Sequence, residues 1–194
     1  MAEDERELVN SVQTLIAVIN VKDRYTYGHS VRVLKYASEF ASWLGLEGDE
    51  LRFLRYAAFL HDIGKIEIDR YLLNTPGRLT PEEINTFRQH PHWGSEIVGA
   101  IPSLEPAARI IRHHHENYDG SGYPDQLKGE EIPLAARIIR IVDSYDAMTT
   151  DRPYHGAMSD ADAIEQLVEN AGTAFDPELV QLFKTKKSTM RSFT

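Results

Sequence analysis

The sequence contains no cysteine. Disulfides, thiolate nucleophiles and Cys-type zinc sites are therefore excluded, and a reducing compartment is permitted. Long apolar runs are also missing. The longest, such as Leu15 to Ile19, fall far short of the roughly 20 residues that cross a bilayer. The N-terminus, Met-Ala-Glu-Asp-Glu-Arg-Glu, has no signal-peptide core, so a cytoplasmic location without membrane insertion is expected. Positive charge is in deficit: 21 Lys and Arg against 30 Asp and Glu give a net charge of −9. That balance argues against a nucleic-acid polymer held by the overall field, and an anionic ligand needs a local cationic patch or a bound metal. No internal repeat, low-complexity tract or linker interrupts the chain.

What remains is 194 residues, 42% hydrophobic and 26% charged, enough for one globular domain with a full core. Proline and glycine fall in short clusters: Thr75-Pro76-Gly77, Ile101-Pro102-Ser103, Asp119 to Pro124, and Asp176-Pro177. Between them the apolar period is helical. Leu8, Val12, Leu15, Ile16 and Ile19 form one stripe; Val33, Tyr36, Ala37 and Phe40 form another. Residues 49–63 are apolar on most sides, as in a central helix. Thr80 followed by Pro81-Glu82-Glu83 reads as a capped helix start. Further helices are expected near 92–100, 105–115, 133–148, 159–170 and 177–184. A small turn or hairpin is expected over Gly120 to Lys128. The fold class is all-α, a single-domain multi-helix bundle.

The informative feature is the placement of histidines and acids. Ala107, Ile110 and Ile111 continue at helical spacing onto His114 and His115, whereas His113 falls off that stripe. Leu51, Leu54 and Ala58 continue onto His61 and Asp62; Ala136 and Ile139 continue onto Asp143; His29 precedes Val33 on its stripe. Four helices thus each turn a His or Asp inward, at or near a helix end. Taken singly, an inward His is most often a satisfied core histidine, and Asp62 or Asp143 a buried cap or ion pair. Together they must meet one another or a cation, because an uncompensated buried carboxylate is costly. Imidazoles and carboxylates without thiolate suit Zn²⁺, Mn²⁺ or Fe²⁺. A set of this size exceeds the needs of one tetrahedral zinc and suits two octahedral metals sharing a carboxylate. Two metals roughly 3.5–4 Å apart, activating a bridging water, are a standard device for phosphate-ester hydrolysis.

His61-Asp62-Ile63-Gly64-Lys65, His114-His115-Glu116 and Asp119-Gly120-Ser121-Gly122-Tyr123-Pro124 resemble the HD-GYP family, a branch of the HD-domain metal-dependent phosphohydrolases. The resemblance extends from about Asp23 to Phe183. It takes in Thr26-Tyr27-Gly28-His29, Pro76-Gly77-Arg78-Leu79-Thr80, Gly129 to Leu134, Asp151-Arg152-Pro153-Tyr154 and Phe175-Asp176-Pro177. It implies an HD-type helical bundle over 23–185. Residues 1–22 are then an N-terminal connector helix, able to support a homodimer, and 186–194 a C-terminal tail. The implied activity is hydrolysis of cyclic di-GMP to linear pGpG, with onward cleavage to GMP left open. Two divalent transition metal ions are implied, iron or manganese, with zinc also accommodated.

The family's metal ligands fall on His29, His61, Asp62, His90, His114, His115 and Asp143. Of these His90, beside Pro91, reads from the sequence alone as a structural histidine in a loop. Asp62 is the implied bridge, with His29, His61 and Asp143 toward one metal and His90, His114 and His115 toward the other. The resemblance assigns Lys65 to the scissile phosphate, Asp23 to the attacking water as a catalytic acid or base, and Arg152 to the second phosphate. Tyr123 supports the signature loop and the ligand's surroundings, while Glu116 and Asp119 orient imidazoles or shape the loop. Several positions depart from the family. Tyr25 stands where some members place a glutamate for a third metal. His155 replaces a Lys or Arg in the substrate region, Glu67 replaces a glycine, and Thr75 a lysine. The metal set is intact, but cationic charge on the substrate side is reduced. Two other readings share these residues. One is a cyclic di-GMP-binding module of negligible turnover that signals through GGDEF-type domains. The other is an HD phosphohydrolase acting on cyclic GMP-AMP or a mononucleotide.

Overall fold

Helical periodicity carries through the computed structural model of the protein, which describes residues 10, 12–18, 24–73, 79–151 and 156–191. Residues 12–18 are helical, with Val12 buried and Leu15 and Ile16 packed on the core. The elements that follow are α1 (Arg24–Leu44), α2 (Gly48–Leu60), α3 (Arg70–Leu73), α4 (Pro81–Phe87), α5 (His90–Gly99), α6 (Glu105–His113), α7 (Leu134–Thr149), α8 (Asp160–Glu169) and α9 (Pro177–Arg191). Short 3₁₀ turns occupy Ile63–Glu67, Pro102–Leu104 and Gly129–Glu131. No strand occurs among the described residues; the nearest approach is an isolated bridge between Ala171 and Phe175. The fold is all-α and single-domain, as expected.

The core forms where apolar stripes meet. Val33, Ala37, Phe40 and Ala41 of α1 are fully buried against α2 and α7. Helix α7 is apolar nearly all round and lies at the centre, with Ile138, Ile139, Ile141 and Val142 fully buried. Helix α2 packs on α6, and α5 packs on both α6 and the 63–67 turn. That last contact is close. A Cβ on Gly64 would collide with the His90 carbonyl oxygen, and one on Gly94 would press on Ile111. Thr80 caps α4 in a reciprocal box: Glu83 N–H donates to Thr80 Oγ1 at 3.2 Å, and Thr80 N–H donates to Glu83 Oε2 at 2.7 Å.

One expectation changes, and one open alternative resolves. Helix α9 runs to Arg191, past the expected end at 184 and through most of the expected tail. Phe183 stacks on Phe40 at 5.8 Å, and Lys187, one turn on, lays its ammonium over the Tyr36 ring at 4.4 Å. The aliphatic stem of a lysine continues an apolar face that a sequence pattern reads as charged. Of the two forms expected for Gly120 to Lys128, a small turn or a hairpin, the structure has an irregular turn. Gly120 sits at φ +87°, and a Cβ on Gly122 would collide with the Asn117 and Glu116 backbone. The N-terminal stripe positions Leu8 and Ile19, and the Thr75 to Arg78 cluster, lie outside the described residues.

Candidate metal centre

The last carbonyls of a helix lack intrahelical donors. Three histidines use this. His61 follows the end of α2 and donates Nδ1–H to Ala58 O at 2.9 Å. His114 follows the end of α6 and donates to Ile111 O at 2.6 Å. His90 opens α5 and donates to Phe87 O, at the end of α4, at 2.7 Å. Each bond commits the ring's one proton to Nδ1 and leaves Nε2 a bare lone pair aimed inward. His29, in the second turn of α1, donates Nδ1–H to Asp146 Oδ2 at 2.7 Å.

The inward atoms converge on two adjacent points. Ligand atoms of His29, His61 and Asp143 lie within 4.8 Å of one another, as do those of His90, His114 and His115. Asp62 lies between them. Its Oδ1 is 3.4 Å from His90 Nε2, and its Oδ2 is 3.6 Å from His61 Nε2 and 3.9 Å from His29 Nε2. Lys65 Nζ donates to Asp62 Oδ2 at 2.6 Å.

These donors fit divalent cations. His90 Nε2 and His114 Nε2 face each other at 3.3 Å in a buried site, and both carry lone pairs. Two acceptors at that distance are stabilised by a cation placed beside them. The all-nitrogen and oxygen set suits iron, manganese or zinc. Charge distribution agrees. Burial pushes His90 down to about 4 and His114 and His115 well below the usual range, so these rings stay neutral. Burial also opposes charge on His29, but Asp143, at 3.1 Å from Nε2, and Asp146 outweigh it and raise that ring to about 9. Burial opposes ionisation of Asp62, yet the Lys65 ammonium and the charged His29 ring hold its carboxyl well below the carboxylate range. The His29 side therefore attracts positive charge, whether a proton or a metal.

Asp146 is a residue that sequence reasoning missed. It is 1% exposed and accepts from His29 and from Arg32, whose Nε donates at 2.6 Å. A carboxylate behind a ligand imidazole fixes its orientation and raises its basicity. The signal was present: Asp146 lies one turn after Asp143, and Arg32 one turn after His29. His90, read as a loop histidine, is instead the buried first residue of α5. Pro91 is tolerated there because the first helical turn has no backbone donor to lose. Asp143 lies mid-helix in α7 and not near an end.

Around this centre, Tyr123 follows Gly122 and precedes Pro124 across a cis peptide. Its ring stacks on His115 at 5.1 Å, and the Arg88 guanidinium lies over the same ring at 5.4 Å. Tyr123 thus braces the ring of His115, a member of the second histidine group. Glu116 and Asp119 shape the loop: Glu116 Oε1 accepts from Asp125 N, and Asp119 Oδ1 from Ser121 N. His113, off the inward stripe, is buried on another face and bonds Asp125 at 3.0 Å. Asp23, Arg152 and His155 lie outside the described residues. Among the described residues, no helix is long and apolar enough to cross a membrane.

Comparison with known proteins gives a consistent result. The HD domain family matches residues 13–179. A cyclic di-GMP phosphodiesterase response regulator, RpfG, from Xanthomonas campestris is 40% identical over 180 residues, covering 92% of this chain and 47% of the relative. A 3′3′-cGAMP-specific phosphodiesterase from Vibrio cholerae is 37% identical over 167 residues, covering 86% of this chain and 36% of the relative. The chain thus spans less than half the length of either. Among solved structures, an HDG"Y"P protein from Bdellovibrio bacteriovorus superposes with a TM-score of 0.68 at 22% identity. It covers 91% of this chain and 57% of that one, and shares the fold.

Proposed function

Because the chain belongs to the HD domain family, in its HD-GYP branch, we propose that it is a metal-dependent phosphodiesterase that hydrolyses cyclic di-GMP to pGpG. The observation that carries the reading is Asp62, a buried carboxylate with one oxygen toward each histidine group. The substrate assignment rests on relatives named for cyclic di-GMP.

Two divalent ions, iron or manganese, would be held by His29, His61 and Asp143 on one side and His90, His114 and His115 on the other, with Asp62 shared. When bound, such ions supply Lewis acidity and lower the pKa of coordinated water. The remaining work falls to the chain. Histidines with Nδ1 tied to backbone carbonyls keep their Nε2 lone pairs in place without reorganisation. The Lys65 ammonium, beside Asp62 and 29% exposed, would donate to an oxygen of the scissile phosphate. Asp23 is assigned to orient or deprotonate the attacking water. Arg152 is assigned to the phosphate that is not cleaved, where a planar guanidinium suits a bidentate contact, and His155 to the substrate side, where it adds charge only when protonated. Tyr123 keeps the His115 ring in register.

The test is product analysis. Manganese- or iron-loaded protein is incubated with cyclic di-GMP, and products are resolved by chromatography. The expected product is pGpG; metal-loaded protein that leaves cyclic di-GMP intact overturns the proposal. Lys65→Ala should retain its metals and lose roughly 10²–10³ in kcat, the scale of one transition-state donor.

A further inference from the structure

The proposed reaction leaves Arg140 without a role. Helix α7 carries it one turn before Asp143, and Ser144 directly follows Asp143. Its Nη2 donates to Asn117 Oδ1 at 3.0 Å, and its Nη1 to Ser144 Oγ at 3.2 Å. One guanidinium face lies over the Phe175 ring at 5.4 Å. Of the five N–H donors a guanidinium carries, these contacts use two, and the Nε–H is buried with no partner. Asn117, which Arg140 holds, lies two residues after His115 of the second histidine group.

Arg140 also lines a cavity of about 350 Å³, together with Ser144, Met148, Gln166, Asn170 and Phe175. The volume is at the small end of the roughly 300–1,000 Å³ typical of small-molecule sites. Its composition, apolar side chains with a few polar groups, is that of a small-molecule site. Asn170 Nδ2 is committed to the Gln166 carbonyl at 2.9 Å, which leaves its Oδ1 as an acceptor. The polar groups of the lining thus include a guanidinium donor and an amide acceptor.

We propose that this cavity is a guanine subsite for one base of a cyclic dinucleotide, with Arg140 as its specificity-determining residue. This rests on the cyclic-dinucleotide reading of the metal centre. Guanine offers two acceptors, O6 and N7, on one edge, which an arginine fork matches bidentately. Its N1–H and N2–H₂ donors suit Asn170 Oδ1. Adenine presents N6–H₂ where guanine has O6, so a donor would face the guanidinium. The pocket therefore prefers cyclic di-GMP over cyclic di-AMP. It accepts 3′3′-cGAMP through its single guanine.

The experiment measures binding of hydrolysis-resistant phosphorothioate analogues of the three dinucleotides to the metal-loaded full chain by calorimetry, alongside initial rates on the natural compounds. Wild type is expected to bind the cyclic di-GMP and cGAMP analogues roughly 10–100-fold more tightly than the cyclic di-AMP analogue. Arg140→Ala should remove most of that preference while metal content and Tm hold. Ala147→Phe, which fills the cavity and leaves Arg140 in place, should weaken the guanine-containing analogues by a similar factor. Equal loss for all three analogues in Arg140→Ala identifies Arg140 as a brace between Asn117 and α7, and overturns the subsite. So does wild-type affinity in Ala147→Phe. Guanine-selective binding without turnover leaves the subsite standing and refutes the catalytic reading.

Discussion

In chelator-treated protein, raising the pH from 6.5 toward 9 should lower stability through one residue, His29. Burial opposes charge on this ring, but the Asp143 and Asp146 carboxylates raise it from 6.5 to about 9. The folded state then binds the proton more tightly than the unfolded chain. The stabilisation is fully present below pH 6.5 and is lost as pH rises through about 9. At 1.36 kcal/mol per pKa unit, the rise amounts to about 3 kcal/mol as an upper bound. The ring is 4% exposed, so solvent screens it little. At roughly 2–4 °C per kcal/mol for a chain of this size, Tm should fall by about 6–12 °C. His90, His61, His114 and His115 have the opposite sign. Burial depresses them, His90 to about 4, and their contribution is lost as pH falls below 6.5. Stability without metal should therefore peak near pH 6.5. Manganese, taking the proton's place beside His29, should flatten the decline. Thermal unfolding followed by circular dichroism at pH 6–9, for wild type and His29→Gln, measures this. A flat or rising Tm in chelated wild type, or the same slope in His29→Gln, refutes the reasoning.

Asp62→Ala should lose both metals, whereas His90→Ala should lose one; elemental analysis decides, and equal losses argue against a shared carboxylate. Asp146→Asn keeps the shape behind His29 but removes the charge, and should weaken manganese binding by roughly 10–100-fold in a competitive-chelator titration. Gly64→Ala forces a Cβ against the backbone of α5 where His90 begins. It should cost about 3 kcal/mol or more, seen as a lower urea midpoint, because neither backbone can yield.

The sequence by itself determined the helices and most of the inward ligands. Side chains three and four residues apart share a helix face whatever that face later meets. A His or Asp continuing an apolar stripe must go where the stripe goes, which is why His29, His61, Asp62, His114, His115 and Asp143 were legible. The HD-GYP motifs supplied the one candidate ligand that periodicity left out. His90 has no stripe behind it, and its neighbour Pro91 reads as a loop until the helix is seen to start there. Only the tertiary structure decided the rest. The pairing of ligands into two groups depends on how α1, α2, α5, α6 and α7 cross, and no single-helix period encodes that. Asp146 and Arg140 look like ordinary polar positions on α7 until the fold sets His29 against one and the Phe175 cavity against the other. A polar residue's role depends on which partner another element brings to it, and that partner can lie a hundred or more residues away, as His29 does from Asp146.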